Sequence, residues 1–412
     1  MGELTYNGGF AVTMTFKVAV LSDIHAYTNT PVGSSAPSHL KVNDVTKPAA
    51  QHPLLALHTL IGEQSINADY LICPGDLCDK ADTQAAQYAW TELEKLASML
   101  QVKRFFGVTG NHDLDSRYLV QGTIDPKDAL RAMQPPYPIP GPGNDSANTS
   151  YWLDHFAFLT DTNVRTLLLN TCGAHGLQKD EMKHGRISVP TLQRIRKYLQ
   201  NDSGTYVINL AICHHHPQQH SELELGDYDF MRDGQQFLQL IGSGEFGSWI
   251  VIHGHKHHPK ITYAAGGNTS PVVFSAGSFS VLLDPQHGSQ QNTFHLLEIE
   301  SDVVGSTLWG QARTFEFDFG RGWRPAHDDS AVPYHAGFGF RGDLQQLAAR
   351  IAAAIPDSHK TISELASQLP DLQYLLPSDR AYLLSTLRKR HGVANAFDKH
   401  RKETVLYKEN HG

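Results

Sequence analysis

The sequence is short of several things, and each shortage narrows the reading. It has four cysteines in 412 residues, Cys73, Cys78, Cys172 and Cys213, and none belongs to a Cys-x-x-Cys pair. That count is too low for a disulfide scaffold. Buried, reduced thiols in a cytoplasmic protein are the expectation. No stretch approaches the roughly 18 uninterrupted apolar residues that a membrane helix needs, so no membrane partner is expected. The opening residues, MGELTYNGGFAVTM, lack the basic region and apolar core of a secretory signal. Met14 begins a tidy first strand, and residues 1–13 read as a loose extension. A surplus of positive charge is missing too: the net charge is −8, which argues against a broadly basic nucleic-acid surface. The charge is uneven, however. Residues 341–412 hold 11 Lys and Arg against 8 Asp and Glu, while the preceding 340 hold 23 against 34.

What is present describes a globular chain, with 40% hydrophobic and 18% charged residues, long enough for one large catalytic domain and a smaller appendage. Short apolar runs at 16–21 (FKVAVL), 70–73 (YLIC), 104–108, 166–169, 207–213 and 249–252 read as buried strands. Helical spacing at 54–61, 83–100 and 189–199 separates them. Such alternation implies α/β layers with strands buried between helices. Residues 134–150 (QPPYPIPGPGNDSANTS) should form a long surface loop. Strands are expected at 272–275, 293–299 and 314–319, and helices at 344–355 and 361–390, broken at Pro356, Pro370 and Pro377. A boundary in the Gly/Pro-rich stretch between Gly320 and Gly339 divides a catalytic domain, 14–320, from a helical module, 340–412.

Five strands end in clusters of metal-type ligands: Ser22-Asp23-Ile24-His25, Pro74-Gly75-Asp76-Leu77-Cys78-Asp79, Gly110-Asn111-His112-Asp113, His214-His215-His216-Pro217 and His253-Gly254-His255-Lys256-His257. One such cluster is weak evidence, since a Gly-Asp after a strand is usually a turn and a histidine pair is usually solvated. Five in order, each at a strand end, converge on the crevice where α/β folds bind substrate. Imidazole, carboxylate and one amide suit Mn, Fe or Zn. Seven candidate ligands exceed the needs of one ion, so two divalent ions are implied.

DIH, GDLCD, GNHD, HHHP and GHKH resemble the motif blocks of the calcineurin-like metallophosphoesterases over roughly residues 16–300, with no block missing. The closest likeness is to the cyclic-nucleotide phosphodiesterase and glycerophosphodiesterase branch, carried by residues 170–199 and by GDLCDKADTQAAQYAWTELEKL. The resemblance implies a four-layer α-β-β-α sandwich followed by a small helical region. It implies one ion held by Asp23, His25, Asp76 and His257, and a second by Asp76, Asn111, His214 and His255, with Asp76 bridging. Two such cations lower the pKa of a bridging water, and the hydroxide would attack the phosphorus of a small phosphodiester. Asn111 would help stabilise the phosphoryl oxygens and His112 protonate the leaving alkoxide. Asp79 and Asp113 are candidates to orient an imidazole, or Asp113 simply turns the chain.

In the triple histidine, alternation sends His214 and His216 to one face and His215 to the other. His216 is therefore expected at the cleft edge beside substrate, and His215 should find its partner on the opposite side. His253 and His258 are read as structural or surface groups. His184 either lines the cleft or is structural, Arg117 either touches substrate or is a solvated loop charge, and Tyr137 and Trp152 are packing residues. The tail, ending its helix in Arg388-Lys389-Arg390, is a packing or subunit-interface module, with homo-oligomer formation open. The alternative is a winged-helix-like element serving a nuclease on DNA or RNA. GDLCD also resembles the GDLFD block of double-strand-break repair nucleases. A non-catalytic scaffold is disfavoured because every expected ligand is present.

Overall fold

A computed structural model of the chain describes residues 5–7, 10–12, 14–30, 34–44, 46–116, 118, 124–177, 179–219, 230–283, 291–302, 306–355, 359–397 and 404–409. Two mixed sheets face each other. In the first, the parallel strands Met14–Val20, Tyr70–Cys73 and Arg104–Gly107 lie side by side. Thr293–Ser301, Leu308–Asp318 and Gly322–Pro325 extend the Met14 edge antiparallel. In the second, Val164–Leu169, Ile208–Ile212, Trp249–His253 and Val272–Ala276 run parallel, closed at the two edges by antiparallel Phe156–Thr160 and Pro259–Tyr263.

The two-residue period of a strand sorts the side chains into layers. Phe16, Val18 and Val20 join Ile208, Leu210, Ile252 and Phe274 in the core between the sheets. Ala19 and Leu21 point outward to the helices Pro53–Gln64 and Thr83–Met99. Leu167, Ala211 and Val251 likewise face the helices Val189–Asn201 and Gly234–Ile241. Each sheet is thus covered by helices on one face and by the other sheet on its second, which gives four layers, α-β-β-α. Among the described residues no helix is long and apolar enough to cross a membrane.

Three expectations are revised. The 134–150 stretch is not all loop: Asp145–Asp154 is a helix, although DSANTS is a poor helix former. It is held by Tyr151, which is fully buried and whose hydroxyl accepts from the Thr109 amide at 2.8 Å. The Gly320–Gly339 stretch is not a linker, because Gly322–Pro325 and Ala336–Phe338 both pair with Leu308–Asp318 in the first sheet. The C-terminal module is not purely helical. Its helices Leu344–Ala354, Ile362–Gln368 and Pro377–His391 surround a core of Leu347, Ile351, Leu365, Leu383, Leu387 and Leu406. They are joined by a three-stranded sheet in which Thr404–Lys408 lies between His359–Thr361 and Val393–Phe397. Within 1–13, Thr5–Asn7 pairs with Phe10–Val12.

The module docks at the end of the sandwich where the parallel strands begin. Tyr263 sits opposite Val272, the first residue of its strand. Its hydroxyl donates to the Phe340 carbonyl (3.0 Å) and accepts from the Gly339 amide (2.8 Å). All five ligand clusters lie at the opposite end, beyond the strands' C-termini. A five-residue strand separates the two ends by about 17 Å.

Candidate metal centre

The predicted ligands meet, although strand alternation, which would set His25, His255 and His257 on one face with the ligand two residues away, is not what brings them there. None of these lies on a strand, and each left the alternating path by adopting a left-handed backbone: φ is 47° at His25, 85° at His255 and 55° at His257. Asp23 and Asp76 do the same, at 53° and 54°. Such conformations cost energy in residues with a Cβ and gather where function demands them. Glycine makes room for the approach. A Cβ on Gly110 would stand 2.1 Å from Asp76 Oδ1, and one on Gly254 would stand 2.4 Å from Asp23 Oδ2.

Two clusters result. In the first, His257 Nε2 lies 3.4 Å from Asp23 Oδ1, and His25 Nε2 lies 3.3 Å from Asp76 Oδ2. In the second, Asn111 Oδ1 is 3.0 Å from His214 Nε2 and 2.9 Å from His255 Nδ1, while His214 Nε2 is 3.4 Å from Asp76 Oδ2. Asp76 therefore touches both. Ligand atoms of Asp23, His25 and His257 lie within 4.8 Å of one another, as do those of Asp23, Asp76 and His214. The other ring nitrogen of His214, Nδ1, donates to the Pro74 carbonyl at 2.8 Å, which orients the ring so that Nε2 is the nitrogen facing the cluster.

Asp23 and Asp76 are fully buried, and among the described residues their ionic partners are imidazoles rather than Lys or Arg. Burial opposes a charged His25, yet the Asp76 and Asp79 carboxylates hold its imidazolium up to about 10. The same contest, won chiefly by Asp76, raises His214 to about 9. Burial would push the Asp76 carboxyl up, but His214 and His112 hold it well below the carboxylate range. His255 is kept neutral by burial and by the neighbouring His215 and His214. His25 Nε2 and His255 Nε2 are buried without a hydrogen bond. Buried carboxylates whose ionic partners among the described residues are imidazoles, with imidazole nitrogens left over, suit divalent ions in place of protons.

Asp79 accepts from His112 Nδ1 at 3.0 Å and lies 3.7 Å from His25 Nδ1. Although burial raises its carboxyl, those two histidines hold it below the usual carboxylate range. Asp113 does more than turn the chain. Its carboxylate accepts from the amides of Asp76 (3.0 Å), Leu77 (2.7 Å), Cys78 (3.2 Å) and Gly110 (2.8 Å), so it binds the second motif loop to the third. Burial and the Asp76 charge push it up to about 6, against those amide donors.

In the triple histidine, His214 is the residue that reaches the clusters. His215 faces away as expected, its Nδ1 paired with Thr171 Oγ1 at 2.8 Å. His216 does not reach a cleft edge: it is fully buried, its ring edge-on to His253 at 4.4 Å. A left-out signal explains a missed neighbour. The strand Val164–Leu169 also ends in a ligand-rich stretch, Asn170-Thr171-Cys172-Gly173-Ala174-His175, a sixth block. It places Cys172 and His175 behind the centre, with ligand atoms within 4.8 Å of each other and of His215. His175 Nε2 donates to the His184 carbonyl, and His184 is itself buried. His253 is buried, and His258 is half-buried. Tyr137 packs against Trp90 and Trp152. Arg117 lies outside the described residues. The four cysteines are free and buried.

With this geometry in place, comparison with known proteins gives a consistent family. No curated protein matches the chain. Among solved structures, the purple acid phosphatase PPD1 of yellow lupin (Lupinus luteus) is 12% identical, covering 73% of this chain and 51% of its own, with a TM-score of 0.44. The chain thus spans about half the length of that phosphatase. PhoD is 10% identical over 80% of this chain and 70% of its own, with a TM-score of 0.45. Phosphopantetheinyl hydrolase from Mycobacterium tuberculosis is 14% identical over 66% of this chain and 98% of its own, with a TM-score of 0.32. Residues 336–389 match a family model described as wHTH-Calcineurin_assc. The model described as calcineurin-like phosphoesterase matches residues 16–271, most of the sandwich. On that match, the chain belongs to the calcineurin-like phosphoesterase family.

Proposed function

We propose that the protein is a dinuclear-metal phosphodiesterase acting on small phosphodiesters, cyclic nucleotides among them. The observation that carries this is the position of Asp76, whose Oδ2 lies within 3.4 Å of histidines from both clusters. Asp23, His25 and His257 with Asp76 would hold one divalent ion, and Asn111, His214 and His255 with Asp76 the other. When bound, the two ions supply positive charge for the phosphoryl oxygens and make water acidic enough to deprotonate near neutral pH. Asn111 adds a neutral ligand, so Asp23 and Asp76 are the only anionic members of the candidate ligand set held against the two dications. The two positive charges that remain match a monoanionic diester and one deprotonated water, and fall one short for a monoester dianion.

The chain's own groups supply the proton. Asp79 accepts from His112 Nδ1, which fixes the ring's orientation and leaves Nε2 turned away from Asp79. His112 is then placed to protonate the departing alkoxide from Nε2. The four free, buried thiols favour a reducing cytoplasm as its compartment.

The nuclease alternative draws support from the winged-helix match at 336–389, but the module's place at the far end of the sandwich weighs against its presenting substrate to this centre. The test is a panel on Mn-, Fe- or Zn-loaded protein: bis-p-nitrophenyl phosphate, its monoester, cyclic mononucleotides, glycerophosphodiesters and single- and double-stranded DNA. The diesters should be cleaved with kcat/KM at least tenfold above the monoester and above DNA. Faster monoester cleavage would overturn the diesterase reading, and salt-sensitive DNA cleavage would favour the alternative.

A further inference from the structure

A cavity of about 420 Å³ lies between the sandwich and the C-terminal module, at the end away from the metal ligands. Its volume falls in the range of small-molecule sites. Trp249, Ser270 and Trp309 line it from the sandwich, and Phe340, Arg341 and Tyr374 line it where the chain enters the module. Trp309 and Tyr374 meet edge-on, with ring centroids 6.4 Å apart, and the Trp309 indole donates to Glu300 at 2.6 Å. The aromatic wall is therefore held in place rather than free to collapse.

One polar group on this wall lacks an ionic partner. The Arg341 guanidinium is half-buried, stacked 3.5 Å over the Tyr263 ring, and donates to the Ser270 carbonyl at 2.5 Å. No carboxylate among the described residues forms an ion pair with it, although Asp379 lies near enough to be felt. A cation withdrawn from water without a counter-ion is costly. Among the described residues the one carboxylate lining the cavity, Asp371, is paired with Arg350 at 3.2 Å, so aromatic walls and a cation without an ion pair together describe a complementary molecule.

We propose that this cavity binds a small planar aromatic anion, its ring system against Trp309, Phe340 and Tyr374 and its negative group on Arg341. The ligand would touch both units at once, so occupancy would tighten the seam between them. Nothing in this inference depends on the metal centre.

The probe is 8-anilinonaphthalene-1-sulfonate, titrated into the full-length folded protein at neutral pH and followed by its own fluorescence and by tryptophan quenching. One saturable site per chain is expected, with a raised melting temperature and no change on adding EDTA. The uncharged N-phenyl-1-naphthylamine should bind at least tenfold more weakly. Arg341→Gln should weaken sulfonate binding at least tenfold. Because Arg341 also anchors Ser270 and Tyr263, a second variant is needed: Asn268→Trp, at an exposed position on the cavity's lining, adds bulk without removing a bond and should block the probe. Absence of saturable binding, equal affinity for the neutral analogue, or undiminished binding to Asn268→Trp would each overturn the proposal.

Discussion

The two ends of the sandwich are built on opposite principles. At the ligand end, five residues with side chains take left-handed backbones, two carboxylates are buried among imidazoles, and glycines admit contacts that a methyl group would forbid. At the module end, local rules are obeyed. Thr361 and Glu364 form a reciprocal capping box, Asp343 caps its helix through the amides of Gln345 and Gln346, and Gly392 ends the last helix at φ 61°. The first arrangement stores strain that only the surrounding sheets, and the ions when bound, can offset. The second is consistent from sequence to packing. One end is organised for chemistry, and the other for being stable.

That contrast can be broken from either side. The largest effect is expected from Asp76→Ala. It should lower metal content to one ion per chain or fewer and cut diester hydrolysis by more than about 10⁴-fold, beyond the loss of a single general acid. Retention of two ions, measured by elemental analysis, would show the clusters to be independent. His112→Ala should cost about 10²–10⁴-fold in kcat with metal content unchanged, which separates proton donation from ligation.

Between the ends lies a pH-sensitive group. His295 is fully buried in the sandwich, donating from Nε2 to the Ala276 carbonyl (2.8 Å) and accepting at Nδ1 from Thr314 (2.9 Å). Burial lowers it from 6.5 to about 4, only partly opposed by the Ala276 carbonyl. Its folded value lies below its unfolded one, so the unfolded chain takes up the proton first. Stability is thus whole above pH 6.5 and falls as the pH drops towards 4, by at most about 3 kcal/mol at this group. Denaturant melts of His295→Gln should show a shallower acid slope, and an unchanged slope would place the acid sensitivity elsewhere. The smallest effect belongs to the module. Thr361→Ala should lower stability by about 1 kcal/mol while leaving metal content and hydrolysis unaltered. A loss of activity there would show that the two ends are coupled.

The centre was legible because its chemistry is written in residue types at strand ends, and strand ends are easy to read from apolar runs. Its geometry was not. Strand alternation was the wrong rule for His25, His255 and His257, since left-handed turns leave no mark on non-glycine residues. Asp113 looked like a turn because its four donors are backbone amides from two loops. The short strands at 322–325 and 336–338 were hidden in a glycine-rich stretch, because pairing with Leu308–Asp318 is a property of the assembled sheet. The helix at 145–154 was hidden by its polar surface, with Tyr151 as its buried anchor. Parity alone does not show that His216 is buried, with its ring packed against His253.

Asp113 has a mechanical consequence. Taking hydrogen bonds from three successive amides of one loop and one amide of the next, a single carboxylate removes the hinge between them. Asp76 from one loop and Asn111 from the other then behave as parts of one rigid jaw, whose spacing is set before any ion or substrate arrives.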